Sequence, residues 1–234
     1  GPMGLAMAKV LREQGIPFQG FELHSDVGGL WDIDAPRSTM YETAHLISSR
    51  TMTEFTDFPM REDVADYPSH REMRRYFRDF ATRFDLYRDY AFNAEDLRTE
   101  TLGQAGDGWR VTWRDGAGDA HDAPFAGVLI ANGTLSEPNR PAFNGQFDGE
   151  LIHSADYRDP RQFAGKRVLI VGAGNSGCDI AVDAIHHGVS CDLSMRRGYY
   201  FVPKYVFGKP ADTLGGMIRL PMWLKRKVDG TILK

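Results

Sequence analysis

The rhythm of apolar and polar positions changes several times along the chain, and each change marks an element. Residues 3–14 read as a helix that Gly15 stops, and residues 18–22 as a short strand. Residues 24–60 carry loop chemistry throughout. Ser69 and Glu72 form a capping box for a helix running to about Phe84, with Tyr76, Phe77, Phe80 and Phe84 on one side. Residues 92–102, 109–113 and 120–123 predict a small antiparallel sheet turned at Asp115-Gly116. The run Val128-Leu129-Ile130-Ala131 predicts a buried strand ending at Asn132-Gly133, after which Pro138 and Pro141 break the chain into a linker. From Lys166 to Met195 a strand, a tight turn, a helix and a second strand follow in order. Alternation of this kind belongs to the α/β class.

Composition narrows the function classes. The 234 residues carry 28 basic and 32 acidic side chains, a net charge of −4, so no basic surplus points to nucleic acid. No apolar stretch approaches the ~18 residues of a membrane span, and nothing reads as a signal peptide. Cys178 and Cys191 fall on a predicted helix and a predicted strand, which favours reduced core thiols over a disulfide or metal site. Cytoplasm is the default location.

Two glycine turns carry the candidate chemistry. Gly172-Ala173-Gly174-Asn175-Ser176-Gly177 is a G-x-G-x-x-G lying directly behind the apolar run Val168-Leu169-Ile170-Val171. In such a turn the first glycine permits the bend, the second admits a pyrophosphate, and the third lets helix and strand pack closely. The helix start adds free N–H groups and a positive dipole end. The opening residues Gly1, Pro2, Met3 and Gly4 read as the back half of a second such turn, without its first glycine and feeding strand. Gly1-Pro2 also reads as a tag remnant ahead of a start at Met3, although the fit to the glycine turn favours native sequence. Glu22 closes the strand 18 residues after Gly4, about where an acidic side chain reaches ribose hydroxyls. The strand after the second turn ends instead in Arg196-Arg197, which can bond a 2′-phosphate, or simply be a solvated basic pair.

Between the domains stands a further pattern, F-x-G-x-x-x-H-x-x-x-Y, made by Phe147, Gly149, His153 and Tyr157. Together with the second glycine turn it resembles the fingerprint of the flavin-containing monooxygenases. Gly28-Gly29-Leu30-Trp31 matches the G-G-x-W which that family sets against its flavin. Asp57-Phe58-Pro59, Ala131-Asn132-Gly133 and Asn175-Ser176-Gly177 with Asp179-Ile180-Ala181 match other family elements. Arg158 follows Tyr157 where the related Baeyer–Villiger enzymes carry Trp-Pro. That favours the heteroatom oxygenases.

The resemblance implies two dinucleotide-binding, Rossmann-like domains with a small antiparallel β insertion, both incomplete. Residues 1–150 would be an FAD-binding domain lacking its first strand and C-terminal part, and residues 151–234 the start of an NADPH-binding domain, so the chain reads as an internal piece of a longer protein. FAD would be held by Gly1, Pro2, Met3, Gly4, Glu22, Gly29, Leu30 and Trp31. NADPH would be held by Gly172, Gly174, Asn175, Ser176, Gly177, Arg196 and Arg197. The implied activity is N,N-dimethylaniline-type monooxygenation: NADPH reduces FAD, O2 gives a C4a-hydroperoxyflavin, and an amine or sulfide takes the oxygen. The family's usual asparagine before D-F-P is Ile47 here, whose side chain cannot hydrogen-bond, so that contribution is absent unless His45, Ser48 or Ser49 supplies it. A peroxide-releasing NADPH oxidase or reductase therefore stays open, as does an inactive nucleotide-binding piece. His153 reads as a structural linker residue rather than a base, and no catalytic side chain is identified. Tyr199-Tyr200-Phe201 is ambiguous, and Met217, Ile218, Leu220, Met222, Trp223 and Leu224 beside Lys225-Arg226-Lys227 fit a packing segment or lid better than a membrane-surface helix. A homodimer is left open, no metal site is expected, and the substrate is not named.

Overall fold

The computed structural model describes residues 1–104 and 106–214; the 217–227 segment discussed above lies outside these described residues. Contacts divide the chain into two units, Gly1–Glu42 with His70–Tyr157 and Thr43–Ser69 with Arg158–Lys234.

The first unit begins with helix α1 (Pro2–Glu13), whose proline sits in the first turn, where its missing N–H costs nothing. Gly15 at φ +67° ends it, as the sequence predicts. Strand β1 (Gly20–Glu22) pairs in parallel with β2 (Tyr90–Phe92), Glu22 lying opposite Phe92. Between them runs helix α2 (His70–Arg83), which turns Met73, Tyr76, Phe77, Phe80 and Ala81 inward and leaves Phe84, just beyond it, half-buried. Each large side chain so buried stabilises by about 1.5–3 kcal/mol, so this face anchors the unit. Leu5 and Ala8 of α1 are buried as well.

Strands β3 (Glu95–Thr101), β4 (Trp109–Arg114) and β5 (Ala120–Phe125) form the expected antiparallel sheet. Its first strand starts later than the pattern predicts. Asn93 takes φ +51° and breaks the run, so Phe92 belongs to the parallel pair and Glu95 opens the meander. The expected strand at 128–131 does not form: Leu129 and Ile130 are 60% and 82% exposed. Among the described residues no strand runs beside it, and without a ladder partner its extended backbone has no hydrogen bonds to favour it. Ala131 does approach α1, where a methyl added at Gly4 would lie 3.6 Å from its Cβ.

In the second unit β6 (Arg167–Val171), α3 (Asn175–His186) and β7 (Ser190–Ser194) make a β-α-β unit, with β6 and β7 parallel and Val168 opposite Cys191. Cys178 and Cys191 are free thiols, but half-buried rather than core, because each stands on a partly open face of its element. A two-residue hairpin, β8 (Tyr205–Val206) with β9 (Lys209–Pro210), follows. The loop-rich stretch 43–69 holds a single helical turn, Arg50–Thr53, and is tied to α3 by Thr43, whose hydroxyl donates to buried Asp183 at 3.1 Å. No described helix is long and apolar enough to cross a membrane.

Candidate functional site

In the first unit three sequence-distant features meet. The Gly1 nitrogen, at the mouth of α1, lies 3.6 Å from Glu22 Oε2. Gly29 comes so close that a Cβ there would sit 2.8 Å from Gly1 Cα, and its φ of +57° independently favours glycine. The helix start therefore exposes its unbonded N–H groups beside a half-buried carboxylate and beneath the Gly29–Trp31 turn. Glu22 is kept in place from behind: its Oε1 accepts from the His24 amide at 3.1 Å, and its carbonyl accepts from Ala94 at 2.9 Å. Tyr90 backs the strand, and burial, followed by the charges of Glu22 and Asp89, pushes its phenol up to about 12. Gly1, Pro2, Met3, Gly4, Glu22, Gly29, Leu30 and Trp31 thus belong to one neighbourhood. Free donors, one carboxylate and a close backbone approach suit a diphosphate with an unmodified ribose.

The second unit builds its own turn. Gly172 takes φ +109°, and its amide extends the β6–β7 ladder by donating to Ser194 at 2.9 Å. Gly174 caps α3 in extended backbone, and a Cβ there would meet no protein atom within 4 Å. Gly177 is different: a Cβ would stand 2.1 Å from the Gly172 carbonyl oxygen. Asn175 and Ser176 open α3. Arg196 and Arg197 lie exposed just past β7, with the Arg197 guanidinium 5.8 Å from the centre of the Tyr199 ring. The turn offers helix-start donors, and two exposed cations follow the end of β7.

The fingerprint residues have local tasks. Phe147 folds its ring onto Gly149, where a Cβ would come within 2.4 Å of the ring. His153 Nδ1 accepts from Ala155 N at 3.1 Å and caps a short turn, work that suits a structural histidine. Tyr157 is 1% exposed and packs against Tyr41 at 5.5 Å. Ile47 is 60% exposed. Of its three candidate substitutes, Ser48 shares a 2.7 Å hydrogen bond with Thr53, and Ser49 is buried, its amide donating to Asp212 at 2.6 Å. His45 is engaged at both nitrogens, by the Thr43 carbonyl at 3.0 Å and by Lys204.

The sequence reading passed over a charged cluster on the first unit. Asp26 and Asp32, on either side of the Gly28–Trp31 loop, meet Arg74 and Arg78 of α2. Two arginines at i, i+4 on a helix and two aspartates bracketing a glycine loop were the available signal. Among the described residues no group of three or more His, Cys, Asp or Glu side chains is placed to hold a metal ion.

These geometries, two glycine turns with contrasting charge at the strand ends, define a nucleotide-binding α/β protein. The family profile of flavin-binding monooxygenase-like proteins matches residues 1–234, and the chain belongs to that family. It is 31% identical to the probable indole-3-pyruvate monooxygenase YUCCA9 of Arabidopsis thaliana, over 97% of this chain and 53% of the relative. It is 32% identical to flavin-containing monooxygenase 5 of Oryctolagus cuniculus, over 99% of this chain and 45% of the relative. The solved S-allyl-L-cysteine S-oxygenase of Allium sativum superposes with a TM-score of 0.73 at 26% identity, covering 85% of this chain and 51% of that one. The chain thus spans about half the length of the curated relatives it matches.

Proposed function

We propose that this chain supplies the FAD site and the NADPH site of a flavoprotein monooxygenase that oxygenates a soft nucleophile, an amine or a sulfide. Residues 1–150 are the FAD-binding part, without the strand that feeds its glycine turn, and residues 151–234 the first part of the NADPH-binding domain, both Rossmann-like. The observation that carries the reading is the meeting of Gly1, Glu22 and Gly29 at the start of α1. The Gly1 nitrogen and the amides of Met3 and Gly4 would hold FAD's diphosphate, and Glu22 would accept from its ribose hydroxyls. Gly29, Leu30 and Trp31 would cover it. At the second turn the amides of Gly174, Asn175, Ser176 and Gly177 take the NADPH pyrophosphate, and Arg196 and Arg197 take its 2′-phosphate. Bound FAD supplies the redox chemistry, accepting hydride from NADPH and passing electrons to O2. The protein's residues bind, orient and exclude water.

The test is made on the full-length protein. It should purify with flavin released as FAD, oxidise NADPH in preference to NADH, and convert a thioether or dimethylaniline to its oxide. Protein that folds yet binds no FAD refutes the reading. The exposed alkyl side chain at Ile47 favours a second one, an NADPH oxidase that returns oxygen as peroxide. Peroxide formed mole for mole with NADPH, with no oxide product, would select it.

A further inference from the structure

The loop between Asp26 and Asp32 has few backbone bonds of its own, though buried Ser38 donates its hydroxyl to the Leu30 carbonyl at 2.6 Å. Gly28 and Gly29 take φ of +133° and +57°, and the Gly29–Trp31 turn has backbone bonds of 3.3 and 3.2 Å, at the long end of the range. Its support comes from outside. Arg78 Nη2 donates to Asp32 Oδ2 at 2.7 Å, while its Nε lies 2.8 Å from Asp26 Oδ2 as an ion pair without hydrogen-bond alignment. One guanidinium thereby joins both stems of the loop. Arg74, one turn earlier on α2, donates to the other Asp32 oxygen at 2.9 Å and to Asp34 at 2.8 Å. Asp26 is fixed in turn by the Tyr87 hydroxyl at 2.9 Å and the Val27 amide at 2.7 Å. Asp32 is 13% exposed and Arg78 35%, so the contacts are partly shielded from water. An arginine fork suits this task because its donors are fixed in one plane, which a lysine cannot match.

We propose that Arg78 and Asp32 are positioning residues for the first nucleotide site: they hold the Gly28–Trp31 loop against the start of α1, so that the site has its binding shape before the flavin arrives. The inference rests on the FAD reading given above. Pre-organisation of this kind acts on affinity by removing the cost of ordering the loop on binding. Loss of a plain stabilising contact between α2 and a loop would instead lower the melting temperature and leave the formed site unchanged.

The two are separated in the full-length protein with FAD as the probe. Arg78→Gln should raise the FAD dissociation constant at least tenfold and change the visible circular dichroism of the bound flavin at saturation. Arg78→Lys should recover only part of either effect. Asp26→Asn, which loosens one stem while leaving Asp32 paired, should give a smaller change in the same direction and covers the case in which Arg78→Gln fails to fold. An FAD dissociation constant within twofold of wild type and an unaltered flavin dichroism, in Arg78→Gln or, where that variant does not fold, in Asp26→Asn, overturns the proposal, whatever the melting temperature does. Failure of the wild type to bind FAD would instead sink the underlying FAD reading.

Discussion

Replacing each glycine of the second turn with alanine should give three different defects, because each glycine is required for a different physical reason. At Gly177 an added methyl would lie 2.1 Å from the Gly172 carbonyl oxygen, about 1.3 Å short of the 3.4 Å where ordinary contact begins. The obstacle is backbone, so α3 must shift away from β6. Overpacking of this sort costs about 3 kcal/mol at the upper end of its usual range. For a protein of this size that is a fall in melting temperature of roughly 6 °C or more. At Gly174 the backbone is extended and the methyl meets nothing, so Gly174→Ala should cost about 1 kcal/mol or less through the weaker helix cap. Its methyl, however, projects where a pyrophosphate must approach the amides, and the NADPH dissociation constant should rise at least tenfold. Gly172→Ala falls between them: the space is open, but φ of +109° strains any side chain, by about 1–3 kcal/mol. Melting curves of the apo proteins and fluorescence titration with NADPH provide the two axes. The reasoning fails if Gly174→Ala binds NADPH like wild type, or if Gly177→Ala melts within a degree of it.

Glu22→Ala in the full-length protein should weaken FAD retention by roughly ten- to a hundredfold, the loss of a charge-assisted bond of ~1.5–3 kcal/mol, and unchanged flavin content after gel filtration would remove Glu22 from the site. Replacing Arg196 and Arg197 together with alanine should raise the KM for NADPH at least tenfold and leave that for NADH nearly unchanged; an equal effect on both would show that the pair does not read a 2′-phosphate. Ile47→Asn should lower the fraction of NADPH oxidation that ends as peroxide, whereas tight coupling already present in the wild type would refute the concern and direct attention to His45. His70 is 1% exposed, and burial, with the charge of Arg71 second, holds its imidazole below the usual 6.5, so the folded state prefers it neutral. Its contribution is present above about pH 6.5 and is lost as pH falls from there to the lowered folded value, so urea-unfolding stability should drop across that interval and His70→Leu should flatten the drop.

What was legible in the sequence was local. Gly15 stops α1, and the glycine run behind four apolar residues announces β6, the turn and α3, because these signals act within a few residues of themselves. The errors came where pairing decides. Residues 92–102 look like one strand until Asn93 turns to positive φ and gives Phe92 to a different sheet. The run 128–131 has the composition of a buried strand, yet composition cannot supply the neighbour that would accept its hydrogen bonds, and in the structure it stays exposed. The same limit hid the loop support. Arg78 and Asp32 are 46 residues apart, and each alone reads as an ordinary surface charge. Only the return of α2 beside the glycine loop makes them partners. A glycine pair such as Gly28-Gly29 can be read from sequence as freedom to bend. Which bend it takes is set by contacts that the fold brings from elsewhere, and that is why the candidate site could be proposed from its turns but not from its supports.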